Sequence, residues 1–321
     1  MTLDVLADAD EVAARAAKAA GVVIRELESL AELEAMTALF DEIWEPDAGN
    51  PSMRLDLLRA MTKAGNYASG AYDVASGALL GACVGFFGPP SRAELHSHIA
   101  GVVPAGLGRS VGFALKLHQR AWCLRCDVRV IAWTYDPLIR RNAYFNLVKL
   151  GARPVEYLRN FYGVMDDVIN GGTETDRMLV HWDLRSVAAA DASAGKPRPA
   201  SFAHERARGA VVALSDDGDG LPVPGLPLAG GSGTRTPLPP GGAAFKHGGL
   251  PPPVPPGPRT PRLLVGVPAD IEAMRLSDPA RAAAWRTVLR DVLSPLIAGG
   301  GRVTGFDRSG WYVVSMGREE R

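Results

Sequence analysis

Read for apolar spacing, the chain alternates between helical and strand periods as far as about residue 185, loses both, and regains them after 261. The alanine-rich stretch 9–20 carries its charges on one side and predicts a short helix or a tail. Residues 22–27 read as a first strand, and Ser29 with Glu32 three residues on makes a capping box for a helix through Trp44. After a loop holding Pro46, Gly49, Asn50 and Pro51, the segment 53–63 sets Leu55, Leu58 and Met61 on one helical stripe. Segments 67–74 and 79–87 form a hairpin about Ser76-Gly77, and 94–103 is a fourth strand. In that strand Glu94, His96 and His98 alternate, which puts all three on one face. Pro104 and the glycines Gly106, Gly108 and Gly112 then turn the chain into a helix running through Arg120. A strand at 128–133 follows, then a helix opened by Asp136-Pro137 that stops at Gly151, and a strand at 179–184 that closes the first unit.

From 186 to 261 the pattern dissolves. Thirteen of the chain's 25 prolines lie between Pro222 and Pro261, with glycine in many of the gaps. Such a stretch buries too little apolar surface to offset its ordering entropy and reads as a linker, with 210–214 as one possible strand. Pro251 to Pro258 has the geometry that SH3-like partners dock, but reads first as linker. Strand character returns at 262–267, a capped helix runs from Asp278-Pro279 to Ala298, and two short strands follow at 302–306 and 311–316. The division is therefore 1–20, an N-terminal helix or tail; 21–185, the main domain; 186–261, a linker; and 262–321, a small βαββ unit packed against the main sheet.

Composition narrows the function classes. Among 321 residues, 35 Lys plus Arg balance 35 Asp plus Glu, so bulk charge recruits no polyanion and a nucleic-acid partner is not expected. Three cysteines are too few for a secreted disulfide scaffold, the amino terminus is acidic, and no apolar run nears the roughly 20 residues of a membrane span. A cytoplasmic protein with no membrane partner is the expectation.

The turn after the fourth strand carries the chemistry. A strand that breaks at proline and glycine and restarts as a helix leaves main-chain N–H groups uncompensated, a ready anion site. Valine-x-proline followed by glycines at a helix start resembles the acyl-CoA signature of the GNAT acetyltransferase superfamily, Gln/Arg-x-x-Gly-x-Gly/Ala. Counted from Pro104 without gaps, the signature falls on residues 107–112, with Leu107 in place of Gln or Arg and Ser110 in place of a glycine. Shifted by two it falls on 109–114, which restores every motif residue and lengthens the turn; both registers stand. Asn142, Ala143, Leu150 and Gly151 echo the Asn-x-x-Ala and Leu-Gly-Phe run that ends the core of that superfamily, with Ala152 in place of Phe. The string 160–163, Asp176-Arg177 and His181-Trp182 suggests an uncharacterised bacterial branch.

The resemblance covers roughly residues 20–185. It implies an α+β fold with a mixed, mostly antiparallel central sheet flanked by helices. It also implies acetyl-CoA or another acyl-CoA as co-substrate and a small-molecule or peptide amine as acceptor, attacked directly in a ternary complex. The pantetheine arm would meet the main chain at Val102 and Val103. Amides from Gly108 through Arg109, Ser110 and Val111 to Gly112 would hold the pyrophosphate, with Arg109 as a direct cation and Asn142 nearby.

An amine of pKa about 10.4 costs roughly 4.6 kcal/mol to neutralise at pH 7, so a base helps, and His96 first and Glu94 second are the candidates. The tyrosine that often serves as general acid is Leu147 here, which leaves Tyr144, one turn earlier, and Tyr162. The plainer reading makes each of these a packing or cleft-lining residue. The alternative for the whole protein is a CoA or acyl-CoA binder of the same fold that does not turn over. Cys123 and Cys126 have the spacing of redox and zinc sites but no second pair, and read as structural; Glu94, His96 and His98 on one strand span too far for a compact metal site, so no metal is expected.

Overall fold

A computed structural model describes residues 2–46, 51–165, 173–225 and 261–317. The proline run 251–258 lies outside the described residues. The chain opens with α1 (Thr2–Ala20), β1 (Val22–Glu26), α2 (Leu30–Trp44) and α3 (Leu55–Lys63). The capping box forms as expected, with Ser29 accepting from the Glu32 amide and Glu32 reaching back to the Ser29 amide. Then come β2 (Tyr67–Asp73), β3 (Leu79–Phe87), β4 (Glu94–Val102), α4 (Val111–Arg125), β5 (Val130–Tyr135) and α5 (Arg140–Tyr144). A π turn over Phe145–Lys149 continues α5, in place of the unbroken helix the sequence predicts. The main unit is completed by β6 (Arg153–Leu158), a two-stranded ribbon of β7 (Val164–Met165) and β8 (Thr173–Glu174), and β9 (Arg177–Asp183).

Seven strands form the central sheet in the order β1-β2-β3-β4-β5-β9-β6, antiparallel throughout except for the β4–β5 pair. The architecture is α+β, a mostly antiparallel sheet flanked by helices. Helix α1 is longer than the alanine-rich stretch that announced it and packs along α4 through the buried small residues Ala9, Val12 and Ala13. Helix α4 is thus covered by the sheet on one side and α1 on the other, and its polar residues Lys116, Gln119 and Arg120 are buried.

The C-terminal unit is larger than the βαββ piece read from the sequence. After α6 (Val187–Ser193) and α7 (Phe202–Ala207), the segment read as linker supplies β10 (Val211–Asp216) and β11 (Pro222–Pro224). These join β12 (Arg262–Gly266), β13 (Arg302–Asp307) and β14 (Trp311–Ser315) in a second sheet, with α8 (Ile271–Ser277) and α9 (Pro279–Ala298) between β12 and β13. Its order β11-β10-β12-β14-β13 and its directions repeat those of β3-β4-β5-β9-β6: one antiparallel pair, one parallel, then two antiparallel.

Buried polar contacts tie the units together. Tyr135 at the end of β5 meets Tyr312 of β14 hydroxyl to hydroxyl at 3.1 Å, and Tyr312 donates to the Pro137 carbonyl at 2.8 Å. Asp136, just past β5, pairs with Arg275 of α8. Asp176 accepts from Tyr157, from the Asn160 amide and twice from Arg290 of α9, at 2.7–3.0 Å. Burial is the largest single influence and opposes the Asp176 charge, but the bonds from Arg290, the Asn160 amide and Tyr157 together outweigh it and hold the carboxyl below its ordinary value.

Asp176 is 3% exposed, so truncating its partner strands a buried charge, which typically costs about 3–5 kcal/mol. Arg290→Ala is expected to lower unfolding stability by that order in urea titration at pH 7. Because the folded carboxyl is depressed, the loss relative to the parent should shrink as pH falls below about 4.

Candidate functional site

Strand β4 decides the site. Its pairing with β3 slips between Val84 opposite Ile99 and Gly85 opposite Ser97, so His98 is the extra residue of a bulge. Before the bulge the odd residues face α4: Ser97 lies against Lys116 and Leu95 against Gly85. After it the phase reverses, and Gly101 faces Ile43 and Trp44 of α2. On the other edge β4 pairs with β5 for three residues only, Glu94, Leu95 and His96 opposite Val130, Ile131 and Ala132. Beyond His96 the two parallel strands part, and the β4 main chain on that side has no partner strand among the described residues.

The opening leads to the turn. Pro104–Gly106 makes one tight turn, Gly108 has φ 75°, and Ser110, at φ 65°, takes a left-handed conformation that glycine adopts without strain. Helix bonding starts with the Ala114 amide donating to Ser110 at 3.1 Å, and the amides of Val111, Gly112 and Phe113 have no backbone acceptor among the described residues. These amides, with the helix dipole behind them, lie where the sequence analysis expects an anion site. Val102 and Val103 sit at the end of β4 beside it, and the Val103 amide donates to Leu80.

Arg109 is placed differently from the expectation of a direct cation. Its guanidinium bonds the carbonyls of Ala20 and Gly21 and pairs with Asp73 at 2.5 Å. The contact holds the Asp73 carboxyl below its ordinary value, and it fastens the turn to the β2–β3 hairpin instead of presenting a free charge. The Asn142 side chain is half-buried on α5 and makes no hydrogen bond among the described residues.

On the face opposite α4, Glu94, His96 and His98 do come together. The His96 and His98 rings pack on Phe86 at 5.0 and 5.8 Å between centroids, and His181 of β9 brings Nε2 to 4.0 Å from the Glu94 carboxylate. Sequence reasoning had noted His181 only as part of a string; its neighbourhood follows from Ala132 pairing with both His96 and His181. Burial first, then the charges of His98 and Lys116, push the His96 imidazole down to about 4. Among the described residues no group of His, Cys, Asp and Glu could hold a metal ion. Cys123 is buried, Cys126 is exposed, and burial raises both thiols, in keeping with a structural pair.

Tyr144 does not join this cluster. It lines a pocket of about 470 Å³ between α5 and the C-terminal unit, with Arg308 over its ring at 6.0 Å. Tyr162 lies closer to the opening: its hydroxyl meets Thr134 of β5 at 3.0 Å, two residues past Ala132 on the same face. Leu147 lines a separate pocket against α6.

Under the parting strands, on the α4 side, lies a group that sequence reading missed. Lys116 donates to Ser97 Oγ at 2.7 Å and to Gln119 Oε1 at 3.1 Å, with its ammonium over the Trp133 ring at 4.2 Å. Trp133 in turn donates to Asn146 of the π turn at 3.2 Å. The signal of this group in the sequence was slight, a lysine between two leucines in α4.

Since the His96 ring is neutral in the fold, the stability it contributes is complete above about pH 6.5 and is lost as pH falls through about 4. An NMR titration of ring protons should find the His96 midpoint near 4; a midpoint near 6.5 would contradict the packing described.

No protein-family model matches the chain. No curated protein matches it either. Among solved structures it is similar to the ribosomal-protein-S18-alanine N-acetyltransferase of Escherichia coli, at 14% identity over 52% of this chain and 96% of that one, with a TM-score of 0.42. The ribosomal-protein-S5-alanine acetyltransferase of Vibrio fischeri aligns at 14% identity over 52% of this chain and 94% of that one, TM-score 0.42. A Salmonella typhimurium structure holding acetyl-CoA aligns at 17% identity over 53% of this chain and 98% of that one, TM-score 0.42.

Proposed function

We propose that the protein is an acyl-CoA-dependent N-acyltransferase acting on an amine acceptor by direct transfer within a ternary complex. One observation supports this above the others: β4 and β5 part after His96 and Ala132, and the gap runs to the unpartnered amides of Val111, Gly112 and Phe113. An extended chain bearing amides can pair with the free edge of β4 down to Val102 and Val103, as an added strand would. Its diphosphate then meets the amides from Gly108 to Gly112 at the turn into α4, and Asn142, whose side chain makes no hydrogen bond among the described residues, offers its amide to the same cofactor. Acetyl-CoA or another acyl-CoA fits this donor set and supplies the thioester.

The chain's own residues supply the rest. Glu94, on the opposite face, draws a cationic amine towards the point where the strands part and accepts its proton, with His181 beside it to pass the proton to solvent. His96, neutral at pH 7, offers the acceptor a hydrogen-bond acceptor and not a charge. The Tyr162 hydroxyl on Thr134 is the nearest phenol for protonating a leaving thiolate, a role its position suits better than that of Tyr144.

Purified protein incubated with acetyl-CoA and a panel of small and peptide amines should release free thiol, detected with a chromogenic disulfide. Glu94→Gln should lower kcat by about 10²-fold, while Gly112→Glu, which sets a carboxylate among the α4 amides, should raise KM for acetyl-CoA by tenfold or more. Thermal stabilisation by CoA without thiol release from any amine would instead make the protein a CoA binder, and the absence of both would dismiss the proposal.

A further inference from the structure

The Lys116 group has a property that packing does not explain. Lys116 is 6% exposed, Ser97 5%, Trp133 7% and Gln119 0%. No carboxylate reaches the ammonium among the described residues, and its titratable neighbours are the thiols of Cys83 and Cys123 and the imidazole of His96. An ammonium buried without a counter-ion is costly, and burial accordingly lowers the affinity of Lys116 for its proton. Beside it the Gln119 Nε2 group is buried and has no hydrogen-bond partner among the described residues. A cation without a counter-ion and an amide donor without an acceptor therefore meet at one place.

That place is the point of divergence. Ser97 is the first residue of β4 past its last pairing with β5, Trp133 is the corresponding residue of β5, and Lys116 reaches both from α4. An acyl chain entering with its thioester between the strands ends against this group.

We propose, resting on the acyltransferase reading above, that the cleft selects a short acyl group ending in a carboxylate, such as a malonyl or succinyl thioester. The carboxylate pairs with the Lys116 ammonium and accepts from Gln119 Nε2, while the Trp133 ring screens the pair from solvent. An acetyl group reaches neither donor and leaves both as they are. Because a buried lysine and amide reject an apolar chain of the same length, the group discriminates against butyryl as well as for succinyl.

Calorimetric titration of the full-length protein with CoA, acetyl-, butyryl-, malonyl- and succinyl-CoA tests this. A charge-assisted pair predicts that malonyl- or succinyl-CoA binds about tenfold or more tightly than acetyl-CoA, and that Lys116→Met brings the ratio to about one. Gln119→Leu should lower the same ratio severalfold, which keeps the test decisive if Lys116→Met does not fold. Equal or tighter binding of acetyl-CoA, or a preference that survives Lys116→Met, overturns the inference while the acyl-CoA cleft stands. If no CoA species binds, the cleft reading falls and this falls with it.

Discussion

The separation of β4 from β5 is the constraint on which the rest of the structure turns. Parallel neighbours ordinarily stay paired, since every main-chain donor and acceptor left over inside a sheet must find another partner. Here the pairing lasts three residues. On the α4 side, Lys116 stands between Ser97 on one arm and Trp133 on the other, and Trp133 is held in turn by Asn146. On the opposite side the bulge at His98 reverses the phase of β4 and brings Gly101 against Trp44. The free edge of β4 is thus an internal strand edge of the sheet, and it ends close to a helix start whose first amides have no backbone acceptor among the described residues.

The second sheet fixes the far arm of this opening. Tyr312 bonds the main chain at Pro137 and the hydroxyl of Tyr135, and Arg275 neutralises Asp136, so the end of β5 and the start of α5 are clamped from the C-terminal side. Helix α1 does the corresponding service for α4, packing along its outer face through small side chains. The two additions to the central unit therefore brace the two elements that border the gap. The strand order of the second sheet repeats that of the half of the first sheet that contains the gap.

Much of the fold was legible in the sequence because it rests on local chemistry. The Ser29–Glu32 box, the hairpin about Ser76-Gly77, the stop at Gly151 and the turn after Pro104 are each specified by residues within a few positions of one another. What escaped depends on distant partners. The bulge at His98 has no residue signature and is visible only in the register against β3. Arg109 reads as a free cation until Asp73, 36 residues earlier, is seen beside it. The strand at Val211–Asp216 gains its neighbour across the proline-rich segment, in a parallel pair with β12 that no local pattern announces. Lys116 was overlooked for a similar reason: its partners Ser97 and Trp133 lie on β4 and β5 and reach it only once the sheet packs on α4.

The account stands or falls on whether the gap and the helix start receive one ligand together. Amide chemical shifts of uniformly ¹⁵N-labelled protein, followed as CoA is added, report on both at once. The account predicts that the largest changes fall on Val111, Gly112 and Phe113 and on β4 from Ser97 to Val103, with β1 and the second sheet little affected. Shifts scattered elsewhere, with those amides unmoved at saturating CoA, would contradict it.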